Sequence, residues 1–469
     1  MTGYGATDSR WLALIVLCAG MLMVVLDQTI VNVALPAIQA DLGFSAAGLA
    51  WVVNAYLIAF GGLLLLAGRL GDLVGGRTVY LAGLAVFTGA SLVCGLASSP
   101  AMLIGARFVQ GVGGALSSAV ILGMIVTLFP APGERGRAIA VFSFVASAGA
   151  SIGLLSGGVL TSMLSWHWVF FVNVPIGVAA WLLAARFVPR SAALGLQAGA
   201  DVPGAALVTA ALMLGVYTIV DARSVPLGAV AVALLGAFVW RQAVVPRPLL
   251  RLGLLRSRTV AGANVVQMIA VSGMLGMSFL AVQYLQKSLG YGALATGLAF
   301  LPLSLAIGVL SLGFAARLGA RFGWRAVLLP ALLAIAAGLA LLARAPADGR
   351  YVVNVLPALL AMGVGAGLAL PALMTLAMTG VAPADSGLAS GLVNTGQQVG
   401  GAFGIAVLAA VADARAGGLT DPASLTSGYH AAFAVASALV LVALVVAAFV
   451  LRGPALAPAV AAEPAVAAG

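Results

Sequence analysis

Runs of about 20 apolar residues follow one another along this chain, with only short polar gaps between them. A helix needs about 20 such residues to cross a ~30 Å hydrocarbon layer, so each run predicts a spanning helix. Fourteen are predicted, at 11–35, 48–70, 78–97, 101–129, 138–163, 167–187, 202–220, 227–245, 259–286, 294–316, 326–343, 353–379, 389–412 and 431–451. The first is too long for the apolar part of a secretory signal, carries Asp27 and lacks a convincing cleavage site, so it is expected to stay in the protein. The Ala/Pro-rich stretch at 453–469 is expected to be disordered.

Composition agrees with this reading. Of 469 residues 63% are hydrophobic and 7% charged, against roughly 45–50% and about 25% in soluble proteins. So few charges cannot cover a soluble surface, and a disordered chain is polar and charge-rich. An all-α integral membrane protein, with the lipid bilayer as its surroundings, is expected.

The net charge of +10 does not signal nucleic acid, because the basic residues fall in the gaps between apolar runs. If the N-terminus is inside, 16 basic residues lie in inner segments and 5 in outer ones, with Arg107 left within a helix. That bias predicts both termini on the cytoplasmic side of a multi-pass cell-membrane protein. Cys18 and Cys94 lie within apolar segments and are expected to be packing residues.

The chain repeats itself. The loop Gly68-Arg69-Leu70-Gly71-Asp72-Leu73-Val74-Gly75-Gly76-Arg77 returns 248 positions later as Ala316-Arg317-Leu318-Gly319-Ala320-Arg321-Phe322-Gly323-Trp324-Arg325, sharing Arg, Leu, Gly, Gly and Arg. Gly149, Gly153 and Gly157 in the fifth span are answered by Gly396, Gly400 and Gly404 in the thirteenth. Both loops face the same side, which is the pattern of a parallel repeat relating two transporter halves. Spans seven and eight then form a hairpin inserted between the halves.

Two charges lie where charge is costly. Asp27 is about 16 residues into the first span, roughly 24 Å from the inner surface, and Arg107 lies roughly 9 Å below the outer one. Their depths match, so they can meet. Buried ionisable groups usually mark ion or substrate paths. Burial favours a protonated carboxyl and a nearby guanidinium favours the ionised one, so a change in separation can load or release a proton. The plainer alternative is a static ion pair that locks two helices.

Gln110, one turn from Arg107, extends the polar face of the fourth span. Asn264 with Gln267, and Asn394 with Gln397, are each three residues apart and share a helix face. With Asn54 and Gln110 they are candidate lining for a substrate cavity, or else they satisfy one another between helices. The glycines at 149, 153 and 157 permit close helix packing, and a sliding role is the other reading. Asp72 with Arg77 is a candidate inner gate, set against a plain basic loop.

The single lysine, Lys287, follows Gln286, so no phosphate-binding loop of the G-x-x-x-x-G-K-[ST] type exists. There is no H-E-x-x-H, and two Cys and two His supply no zinc site. Neither ATP nor a metal is expected to power the protein, no catalytic residues are identified, and an ion gradient remains as the energy source.

These residues resemble a known pattern. Leu26-Asp27-Gln28-Thr29-Ile30-Val31-Asn32-Val33-Ala34-Leu35-Pro36 is similar to the first-helix signature of the fourteen-helix drug:proton antiporters of the major facilitator superfamily. The loop at 68–77, Arg107 with Gln110 and Gly111, Glu134-Arg135-Gly136-Arg137, and the stretch from Trp166 to Gly177 resemble further motifs of that family, as do Tyr284-Leu285-Gln286 and Asn394–Gly401. Leu73 and Gly76 stand where the loop motif often has basic residues, and Leu154 where the fifth-helix motif has proline.

The resemblance implies a major facilitator fold of two six-helix bundles, 1–190 and 259–452, with an inserted hairpin and linker at 191–258. It implies alternating access, with export of lipophilic or amphipathic compounds in exchange for protons and no cofactor beyond the proton gradient. Asp27 and Arg107 are then the proton-coupling residues, and Asp72, Arg77 and Arg137 the inner gate. The expected partners are a small-molecule substrate, protons and lipid, and the expected state is a monomer. A proton-coupled symporter of a polar solute, and a non-transporting sensor or scaffold on the same fold, are the alternatives.

Overall fold

A computed structural model describes residues 4–45, 48–190, 193–195, 197, 199–222, 224–381, 386–417, 419 and 421–451. The predicted tail at 453–469, Arg223 and Arg452 lie outside the described residues. Long helices and no strand make up the described chain: α1 (Tyr4–Leu42), α2 (Ala50–Val74), α3 (Gly76–Gly95), α4 (Pro100–Leu128), α5 (Pro132–Met163), α6 (Trp168–Phe187), α7 (Val202–Val220), α8 (Val225–Val244), α9 (Arg258–Ser288), α10 (Ala293–Phe322), α11 (Trp324–Leu342), α12 (Tyr351–Ala377), α13 (Ser386–Ala416) and α14 (Pro422–Val450). Thirteen helices among the described residues are long and apolar enough to cross a bilayer, and α5 is itself 32 residues long. The protein is a multi-pass membrane protein.

Proline explains where the sequence misplaces a boundary. The first span was predicted to stop at 35, yet α1 runs through Pro36 to Leu42. Neighbouring helices compensate a lost backbone bond inside a membrane, and Pro330 and Pro371 sit within α11 and α12 in the same way.

Successive helices run antiparallel, so α1 begins and α14 ends at one end of the molecule, the terminal end. The repeat is visible there in the backbone. Gly75 (φ 92°) turns the chain from α2 into α3, and Gly323 (φ 83°) turns it from α10 into α11. Both bond back four residues, Gly75 N–H to Gly71 O and Gly323 N–H to Gly319 O. A positive φ is strained for a residue with a Cβ, which is why glycine recurs at this point. Two residues on, Arg77 donates to Ala185 O near the end of α6, and Arg325 donates to Ala448 O near the end of α14.

Glycine also sets the helix crossings. A Cβ on Gly153 would lie 2.8 Å from Leu26 O, and one on Gly157 2.5 Å from Ile30 O, so α5 lies directly on the α1 backbone. Gly149 faces Leu22 and Val25 of the same helix. Gly400 and Gly404 meet Met268 and Ser272 on α9 equally closely, whereas nothing stands near a Cβ on Gly396. Small residues permit such approaches in membranes, where packing rather than water exclusion joins helices.

The hairpin α7–α8 is held at the terminal end by Asp201. Its carboxylate accepts from Gly204 N at 3.0 Å, Arg241 Nε at 2.6 Å and Gln242 Nε2 at 2.8 Å. The linker before it rests on the α2–α3 turn through Leu194 N to Asp72 O and Gly195 N to Leu73 O. Along its length α7 touches both halves, with Thr209 against Gly62 of α2 and Gly215 against Phe403 of α13.

At the far end the halves are bonded to each other. Gln286 Nε2 on α9 donates to Val33 O of α1 at 3.0 Å, and Lys287 Nζ donates to Gln39 Oε1 of α1. Gly158 and Gly297 allow α5 and α10 to touch backbone to backbone beside them. Tryptophan favours membrane interfaces, yet of Trp51, Trp166 and Trp168 only Trp168 is exposed. Trp51 is buried, and so is Trp166, whose indole N–H finds Asp41 at 2.9 Å.

Candidate functional site: a buried carboxylate network

Asp27 on α1 and Arg107 on α4 meet in the far half of the α1–α6 bundle. The Arg107 Nη1 to Asp27 Oδ2 distance is 2.5 Å, and exposure is 0% for Asp27 and 1% for Arg107. Arg107 uses its other donors well: Nε bonds Val52 O at 2.9 Å and Nη1 also reaches Gln110 Oε1 at 2.7 Å. Its Cζ stands 4.4 Å from the centre of the Tyr56 ring, within cation–π range. Gly111 makes this possible, since a Cβ there would lie 2.5 Å from Tyr56 O and push α4 away from α2.

The second carboxylate oxygen is also occupied. Asp27 Oδ1 accepts from Gln110 Nε2 at 2.8 Å and from Asn173 Nδ2 at 2.9 Å. Ser91 Oγ sits between those amides, accepting from Gln110 at 3.2 Å and Asn173 at 3.0 Å and donating to Phe170 O. Four helices therefore converge on one carboxylate: α1, α4, α6 and, through Ser91, α3. Splitting a buried pair of this kind costs about 3–5 kcal/mol, because it leaves an uncompensated charge. Asn173, Ser91 and Tyr56 were not among the expected site residues.

The other expected residues are placed as follows. Asn54 and Gln267 are buried, and neither amide has a hydrogen-bond partner. Asn264 bonds the Val260 carbonyl of its own helix, Asn394 is exposed and bonds Ser390 O, and Gln397 is half-buried. Among the described residues no hydrogen bond joins any two of the six polar residues proposed for a cavity. Gln110 belongs to the carboxylate network instead.

Asp72, Arg77 and Arg137 do not converge in this conformation. Asp72 pairs with Arg69 at 3.7 Å, one turn away on α2. Arg77 holds the end of α6, and Arg137 is exposed on α5. Glu134 of the neighbouring motif pairs with Arg10 at the start of α1, at 3.6 Å.

Two halves related by a repeat, joined by an inserted hairpin and carrying a sealed charge in one bundle, describe a membrane transporter. The chain belongs to the Major Facilitator Superfamily, whose profile matches residues 17–405. It is 41% identical over 448 residues to the puromycin resistance protein pur8 of Streptomyces alboniger, covering 92% of this chain and 89% of that one. It is 40% identical over 445 residues to the cephamycin export protein CmcT of Amycolatopsis lactamdurans, covering 91% and 90%. Its fold matches the crystal structure of the nucleoside transporter NupG with a TM-score of 0.69 at 13% identity, over 94% of this chain and 100% of that one.

Proposed function

We propose that the protein exports a lipophilic or amphipathic small molecule of antibiotic type across the cell membrane in exchange for protons, by alternating access. The observation that carries this reading is the Asp27 carboxylate, sealed from solvent and held by Arg107, Gln110 and Asn173. Its donors come from α4 and α6, so parting α1 from α4 takes the guanidinium away from the carboxylate and ties the partnering of Asp27 to helix motion. That tie is what proton coupling requires. The names of its relatives, for puromycin resistance and cephamycin export, support an antibiotic-like substrate.

The conformation has its halves bonded at the far end, through Lys287 to Gln39 and Gln286 to Val33. With both termini cytoplasmic, as the arginine bias favours, this is the state that faces the cytoplasm. Asp27 gives up its proton in that state and the pair with Arg107 forms. Asp72, Arg77 and Arg137 close the terminal end in the opposite state, when α5 carries Arg137 toward the α2–α3 turn. The bundles are 1–190 and 259–452, with the substrate between them near the midplane. Asn54, Gln267 and Gln397 supply polar contacts as the halves rock. The protein acts as a monomer with no cofactor beyond the gradient.

Inverted membrane vesicles test this directly. With an acid interior they should accumulate puromycin, and a protonophore should abolish the accumulation. Accumulation indifferent to the protonophore would contradict proton exchange, and movement in the opposite direction would contradict export.

A further inference from the structure

The repeat does not keep its carboxylate, and the change leaves a cationic face with no ion-pair partner among the described residues. In the first half Arg69 pairs with Asp72 at 3.7 Å. The matching positions in the second half, 248 residues on, are Arg317 and Ala320, so the arginine is kept and its carboxylate is lost. Leu73 and Val74 become Arg321 and Phe322. No Asp or Glu occurs between Asp221 and Asp348, and among the described residues neither Arg317 nor Arg321 has an ion-pair partner.

The local packing turns both guanidinium groups outward. Ala315 and Gly319 form the buried face of this last part of α10, where a Cβ on Gly319 would lie 2.7 Å from the Trp324 ring. Arg317 and Arg321 are four apart on the exposed side, with Phe314 three residues before Arg317 on the same stripe. Phe314 and Phe322 are 48% and 54% exposed, and Arg321 lies against the Phe322 ring. The helix is 30 residues long, roughly 45 Å at 1.5 Å per residue. That spans the hydrocarbon core and the headgroup layers, which places its end among headgroups.

We propose that the terminal end of α10 is a binding surface for an anionic phospholipid. Phe314, one turn deeper than Arg317, lies against the acyl chains, Phe322 sits at the interface against Arg321, and Arg317 and Arg321 hold the phosphate and the net negative headgroup. Exposed rings exclude a purely aqueous anion as occupant, because they need apolar material beside them. The lost carboxylate gives charge complementarity to an acidic lipid rather than a zwitterionic one. The matching turn of the first half carries the Arg69–Asp72 pair instead, so this arrangement belongs to the end of α10 and not to its repeat.

The experiment uses the full chain with Ala320→Cys, an exposed position between the two arginines. Cys18 and Cys94 are buried, so a bimane label is directed to the introduced thiol. Quenching by brominated phosphatidylglycerol and by brominated phosphatidylcholine in reconstituted vesicles gives the local preference. Phosphatidylglycerol should be favoured, and Arg317→Ala with Arg321→Ala should reduce the preference by roughly fivefold per arginine. Arg317→Lys with Arg321→Lys should retain most of it. Equal quenching by both lipids in the parent, a preference unchanged by removing both arginines, or its loss in the lysine variant would each overturn the proposal.

Discussion

Arg77 and Arg325 are 248 residues apart and make the same bond: each donates to a carbonyl near the end of the last helix of its own half, Ala185 for one and Ala448 for the other. A guanidinium there satisfies a helix-end carbonyl and favours the negative end of the helix dipole. The loop motif thus has a structural task that precedes any gating. It pins the second and third helices of each half to the sixth.

If that task is shared, Arg77→Ala and Arg325→Ala should destabilise the protein by similar amounts. The expected loss is about 1.5–3 kcal/mol each, the worth of a hydrogen bond from a charged group. Thermal unfolding in detergent measures it. A large effect for one and none for the other would separate the two loops.

Helix contacts predict an unequal response along the glycine series. Gly157→Ala pushes a methyl onto Ile30 O, and should cost about 1–3 kcal/mol through overpacking. Gly396→Ala meets nothing within 4 Å and should change stability by no more than about 0.5 kcal/mol. Comparing melting temperatures of the two variants is sufficient.

Asp201 ties the inserted hairpin to itself. Burial pushes its carboxyl up, but Arg241, Gln242 and the Gly204 N–H outweigh that and hold it below the ordinary 3.8. A lowered value means the carboxylate stabilises the fold above the ordinary carboxyl range and loses this effect as pH falls through the folded value. Asp201→Asn should therefore cost about 3 kcal/mol at pH 7. The gap to wild type should hold down to about pH 5 and narrow as pH falls through 3.8 toward the lower folded value. Thermal melts across that range test the sign.

Asn173 gives Asp27 a donor that neither charge nor spacing announced. Asn173→Ala should leave the ion pair in place but remove one bond to each of Asp27 and Ser91, slowing transport roughly tenfold, as about 1.4 kcal/mol predicts. Efflux rates at matched expression measure this.

The sequence revealed the charged pair because helix rise fixes depth: counting residues placed Asp27 and Arg107 at one level, and they touch. It revealed the repeat because Gly75 and Gly323 have a backbone need that only glycine meets. It did not reveal Asn173, a lone amide in an apolar run, whose partners are set by how α6 leans on α1. Asn394 and Gln397 share a helix face as expected. Which way that face points depends on packing, and Asn394 is exposed. Trp51 and Trp166 are buried for the same reason, since composition places tryptophan at an interface but tertiary contacts decide whether it stays there.

The central claim is that Asp27 carries the proton that exchange requires. Proteoliposomes holding purified protein and an internal pH dye measure it, with substrate added outside and the Asp27→Asn variant run beside wild type. Wild type should move protons on substrate addition, whereas the variant should still exchange labelled for unlabelled substrate but move no protons. Proton movement of wild-type size in the variant would contradict the account.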